Sequence, residues 1–229
     1  MTIPAYYALV ALCFTVFTLF RYSFSVGLLE RPLVVGLFWG LVSGHWEIAM
    51  AVAIFFELAW LDLIPAGSFI PPHLTAATLA ALALTSRFSL EVPGEIMVAM
   101  LASVPLAWVG SSAEDALRTF NSRTYDQAAA WANGTREAPF PSRLLLRSIL
   151  ITAGAAWGGF FALILALHFV VGLVLPNVGF ALARLEVTWP HLWLGASLGG
   201  LLALRLRRAY VVCAVCATVV FFLAGASMF

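Results

Sequence analysis

FFELAWLDLIPAGSFIPPHL, residues 55–74, decides how this chain is read. Apolar runs flank it on both sides. Inside it stand two carboxylates, Glu57 and Asp62, one histidine, His73, and three prolines, Pro65, Pro71 and Pro72. Proline lacks the backbone N–H and clashes with the preceding turn, so a helix does not run through unbroken. A carboxylate at mid-bilayer costs about 2.5–3.5 kcal/mol. Irregular backbone at that depth is tolerated only where it is buried in protein or lines a watery cavity. The stretch therefore reads as a helix break around a polar cavity. The competing reading is a surface loop with both acids in water.

The surroundings favour the membrane. Hydrophobic residues make up 63% of the chain and charged residues only 10%, against about 25% charged in an ordinary soluble domain. Apolar stretches recur at 5–20, 96–109, 148–175 and 209–228. The alternating pattern of a membrane β-barrel is absent. The expected fold is an all-α integral membrane protein, a multi-helix transporter bundle with re-entrant or broken helices and an interfacial amphipathic helix. A net charge of +1 gives nucleic acid nothing to bind. Cys213 and Cys216 carry a C-x-x-C spacing, but inside an apolar run two thiols read as packing residues.

Residues 31–87 set the architecture. A spanning helix needs about 20 apolar residues. The runs here, 33–42, 48–60 and 74–85, are too short, each reaching about 15–20 Å as helix. Short interrupted pieces are what re-entrant hairpins look like, and transporters build substrate sites from them. The polar stretch 114–147 holds Arg118, Arg123, Arg136, Arg143 and Arg147, and arginine-rich connections stay in the cytoplasm. Its first part, 113–132, reads as an interfacial amphipathic helix. Arg205, Arg207 and Arg208 mark a second cytoplasmic connection. Residues 1–229 form one membrane domain: membrane segments over 5–112, a cytoplasmic amphipathic connection over 113–149 and C-terminal membrane segments over 150–229.

The spacing of certain residues has a precedent. Arg31-Pro32 opens a run with glycines at Gly40 and Gly44. Glu57 follows, and GSFIPPH, residues 67–73, closes the pattern. VPLA at 104–107, Arg118-Thr119 and ANG at 132–134 extend it. Together they resemble the IIC membrane subunit of the mannose–fructose–sorbose family of the bacterial sugar phosphotransferase system. That family carries Glu or Gln at the Glu57 position and ends its motif in Asp, where this chain has His73. The resemblance implies a multi-pass protein of the bacterial inner membrane that binds a hexose-type sugar and moves it inward. It implies a IID membrane subunit as partner, a trimer of IIC–IID pairs, and phosphorylation by IIA and IIB phosphocarriers rather than by this chain. No Gly-rich phosphate loop, nucleotide fingerprint or metal-ligand spacing stands in the sequence, so no cofactor and no metal is expected, and lipid is the surrounding solvent.

Six residues form the expected sugar site. Glu57 would accept hydrogen bonds from two adjacent hydroxyls, strengthened by its charge; otherwise it partners a backbone break or an arginine. Asp62 would act likewise, or cap a loop. Gly67 and Ser68 would offer N–H groups and a hydroxyl, or simply form the turn. His73 would hydrogen-bond the sugar, or stand as a capping or water-facing residue. Trp60 would stack on a sugar face, or serve as core or interfacial anchor. Arg31 is expected to pair with Glu30, Glu47 or a headgroup. Two other functions compete: a membrane scaffold or sensor that kept the fold, and an intramembrane hydrolase using Ser68, His73 and Glu57.

Overall fold

The computed structural model describes residues 1–24, 27–60, 70–133, 141–184, 186–203, 210–212, 214–215 and 218. The expected positions Asp62, Gly67 and Ser68, the prolines' first member Pro65, and most of the apolar stretch 209–228 lie outside the described residues. The described chain is helical throughout, with no strand. Its elements are α1 (Ile3–Phe24), a one-turn 3-10 helix (Gly27–Glu30), α2 (Pro32–Ser43), α3 (Trp46–Ala59), α4 (Leu74–Arg87), α5 (Pro93–Ser103), α6 (Pro105–Ala132), α7 (Pro141–Arg184) and α8 (Trp189–Ala203).

Length separates two kinds of helix. Three stretches are long and apolar enough to cross a membrane: Ile3–Arg21, Pro93–Ala132 and Ser142–Val178. The other kind is short. α2 has 12 residues and α3 and α4 have 14 each, or about 18–21 Å at 1.5 Å per residue. None covers a hydrocarbon core of about 30 Å. Proline opens α2, α5 and α6, where its missing N–H would be unpaired anyway. Gly44 ends α2 at φ 76°, and its N–H returns to the Gly40 carbonyl. That left-handed turn costs glycine nothing. It folds α3 back along α2 as a helical hairpin. The two helices touch at Gly36, where any added Cβ would collide with the Ala53 side chain.

α4 is the centre of the molecule. Every residue from Thr75 to Thr85 is buried, and α1, α2, α3, α5, α6 and α7 all pack against it. A helix buried all round belongs to the core rather than to a lipid-facing wall. Its Ala- and Thr-rich sequence lets neighbours approach closely. Aromatic donors tie the bundle together through hydrogen bonds that lipid could not supply. Tyr6 Oη donates to the Ala83 carbonyl at 3.0 Å, Trp39 Nε1 to Ser86 Oγ at 2.9 Å, and Trp193 Nε1 to the Ala51 carbonyl at 3.1 Å.

The structure differs from the sequence expectations in two places. Helix α6 runs from Pro105 through Ala113 to Ala132 without a break, so 113–132 continues a helix that begins in the apolar stretch rather than starting a separate one. The alanine-rich sequence of 113–132, without glycine or proline, favours helix strongly enough to continue. Helix α7 is 44 residues long and carries Pro176 inside it, well beyond the expected 148–175.

Candidate functional site

The two ends of the segment 61–69 are held close to the start of α6. On one side, α3 ends at Ala59. Trp60 follows, stacked on Phe56 with ring centroids 5.5 Å apart and edge-on to Trp108 at 6.1 Å. On the other side, His73 precedes α4, and its backbone N–H donates to the Ala107 carbonyl at 2.8 Å. Trp108 and Ala107 are neighbours on α6. The structure thus brings Trp60 and His73 to this helix end, while Glu57 turns to Arg31 at the start of α2.

Glu57 sits two residues before the end of α3. Its Oε1 lies 3.1 Å from Arg31 Nη1, and its Oε2 is a distant 3.5 Å from the Leu33 N–H. The carboxylate closes the open end of the α2–α3 hairpin. Arg31 was expected to choose Glu30 or Glu47; it takes Glu57, because Glu30 is already engaged by Arg21 at 3.0 Å. A carboxylate offers about four lone-pair positions, so these two contacts leave acceptor capacity on Glu57.

His73 is neither water-facing nor a cap. It is buried and makes no side-chain capping bond. Neither ring nitrogen has a hydrogen-bond partner among the described residues. The imidazole lies against the Phe14 ring, centroids 5.0 Å apart, and against Gly110. A Cβ on Gly110 would come within 2.6 Å of the His73 Cβ, so glycine is what lets α6 approach this close. His73 borders a crevice of about 260 Å³ between α1, α4, α6 and α7, together with Thr18, Glu114 and Phe160. Most of the remaining lining is alanine, glycine and leucine.

At the inner end of this crevice lies a charged cluster that the sequence did not announce. Glu114 of α6 is 2% exposed. Its Oε2 faces Arg21 Nη2 at 3.0 Å as an ion pair without hydrogen-bond alignment, while its Oε1 accepts from Arg118 Nη2. Arg21 also reaches Glu30. Arg21, Glu30 and Glu114 therefore lock the end of α1, the 3-10 turn and the middle of α6. From sequence, Glu114 and Arg118 look like a routine surface pair four residues apart on a helix. The only hint of burial was an arginine closing the apolar run of α1.

A hydrolase arrangement is not formed by the described members. Its orienting carboxylate, Glu57, is held by Arg31 and makes no bond to His73.

Comparison with curated proteins gives no match. The family model described as PTS system sorbose-specific IIC component, EII-Sor, matches residues 5–166. That stretch contains α1, both short hairpins, α6 and the first half of α7, with Arg31, Glu57 and His73 inside it. On this match over most of its 229 residues, the chain belongs to the EII-Sor family, the sorbose-specific IIC components of the sugar phosphotransferase system.

Proposed function

We propose that the chain binds a hexose-type sugar and carries it inward across the bacterial inner membrane, delivering it to a IIB subunit for phosphorylation. The observation that carries this reading is the family match over residues 5–166, which supports a sugar-transporting component; in that family phosphorylation belongs to IIA and IIB partners. The short α2–α3 hairpin and the buried α4 support it, since broken elements of this kind surround transporter sites. Glu57, Trp60 and His73, with Asp62, Gly67 and Ser68 in the segment between them, are the proposed sugar contacts. The working assembly is a trimer of pairs with a IID membrane subunit.

Transport is expected to require that partner. Membrane vesicles carrying this chain with a IID subunit and the phosphocarriers should take up and phosphorylate labelled D-mannose, D-fructose or L-sorbose; vesicles without IID should not. Full uptake by the chain alone would overturn the proposed pairing. Assembly with IID but no uptake of any of these sugars would favour a scaffold.

The proposed orientation places the polar end of α6 in the cytoplasm, because arginines concentrate there. The α2–α3 and α4–α5 turns then face outward. With the native cysteines replaced, Ser89→Cys should react with an impermeant thiol reagent on intact cells, and Ser122→Cys only after lysis. The opposite pattern would invert the topology.

A further inference from the structure

A second pocket lies at the far end of α4 from His73, where the tips of the two short hairpins meet. It measures about 200 Å³, the room of roughly six waters. His45 and Ile48 come from the α2–α3 turn and the start of α3. Thr85 and Ser86 come from the last turn of α4, and Ser89 and Glu91 from the link to α5. The walls of the crevice beside His73 are mainly carbon. Here the lining residues Thr85, Ser86, Ser89, Glu91 and His45 carry hydroxyl, carboxylate and imidazole groups.

The state of these groups makes the pocket a site rather than a surface dent. Thr85 is 3% exposed, yet its Oγ1 has no hydrogen-bond partner among the described residues. A buried hydroxyl without a partner is costly. Ser86 Oγ accepts from Trp39 Nε1 and lies beside the Tyr6 hydroxyl, which fixes the side chain. Ser89 holds φ at 52°, a left-handed conformation uncommon for a residue other than glycine. That turn, closed by the Leu90 N–H on the Thr85 carbonyl at 3.0 Å, brings Ser89 and Glu91 back over the end of α4.

The chemistry selects the ligand class. A hard divalent cation takes six or more oxygens, commonly several carboxylates, and this pocket offers one. An anion would meet Glu91 and no arginine in the lining. Sugar hydroxyls both donate and accept, so they match a set that mixes one carboxylate, three hydroxyls and an imidazole. Ile48 and Leu90 supply an apolar wall for the C–H face of a ring.

The geometry points to this pocket as a capture site for a neutral polyol, a second sugar-binding position about 21 Å, the length of α4, from His73. In the proposed orientation it opens on the outer face, where the transported sugar arrives. The inference rests on the sugar-transport reading for the identity of its ligand, and its test separates the two.

The test uses the complex with the IID subunit, with native cysteines replaced and Ile48→Cys introduced as a reporter that removes none of the polar groups. D-mannose, D-fructose and L-sorbose are titrated against alkylation of that cysteine, and uptake is measured in parallel. At least one sugar should slow alkylation. The double variant Thr85→Val, Glu91→Gln should raise the half-protecting concentration about 10- to 150-fold, the cost of a charge-assisted hydrogen bond. Glu57→Ala, in the other proposed site, should leave protection in place. Uptake without any protection, or protection that ignores the double variant, would overturn the capture site and leave transport standing. Protection without uptake would support the pocket and count against transport. Loss of protection in Glu57→Ala would show that the reporter senses the deeper site, and would overturn the proposal too.

Discussion

Glu114→Ala should destabilise the bundle by about 3–5 kcal/mol, the cost of breaking a buried ion pair by removing one partner. The size follows from what stays behind. Arg21 has a side chain only 9% exposed. Without Glu114 its guanidinium keeps Glu30 alone, whose carboxylate is 25% exposed. A buried cation left short of a partner either drags in water or pulls the end of α1 away from α6. Arg118→Ala is the control on the same carboxylate. That arginine is 54% exposed, so its removal strands no buried cation and leaves Arg21 on the carboxylate, and the loss should be smaller. Glu114→Gln should fall between the two, since the amide keeps an acceptor but loses the charge. Unfolding of the purified protein in detergent, followed by helix content against denaturant, orders the three variants. Equal effects for Glu114→Ala and Arg118→Ala would refute the claim that burial and Arg21 set the energy.

The balance of legible and hidden features has a physical pattern. Apolar run length told apart the helices long enough to span a membrane from those that are too short. Residues 33–42, 48–60 and 74–85 read as short, and α2, α3 and α4 are short. Proline and Gly44 punctuated the hairpins through local backbone chemistry. Long-range pairing was not legible. Nothing in the sequence says that Arg31 reaches Glu57 across a hairpin while Glu30 turns to Arg21, because each acid lies within plausible reach of each arginine. The continuation of α6 past Ala113 was hidden for another reason. Polarity rises there while helix propensity stays high, and composition was read as a boundary where the backbone has none. The cavity at the hairpin tips combines residues from two turns some forty positions apart. Each of them alone looks like ordinary turn chemistry.

Glu57→Ala should weaken sugar binding by the complex about 10- to 150-fold, while Arg31→Ala should change it only a few-fold. The first number is the loss of a hydrogen bond to a charged group, about 1.5–3 kcal/mol, at 1.4 kcal/mol per decade of affinity. The comparison matters because Glu57 is in contact with Arg31, and a purely structural role would predict something else. If the carboxylate only fastens the hairpin, removing either end of the pair unfastens it, and both variants should lose affinity alike. If the carboxylate also receives sugar hydroxyls, Arg31→Ala leaves those acceptors in place. Arg31 is 43% exposed and Glu57 16%, so the ion pair itself contributes little. The hairpin keeps its Gly36–Ala53 packing without it. Glu57→Gln should be milder than Glu57→Ala, because the amide retains one acceptor. Equilibrium binding of labelled sugar to the purified complex decides, with assembly checked in every variant. Matching losses in Arg31→Ala and Glu57→Ala would reduce Glu57 to a clasp. Unchanged affinity in Glu57→Ala would remove it from the site.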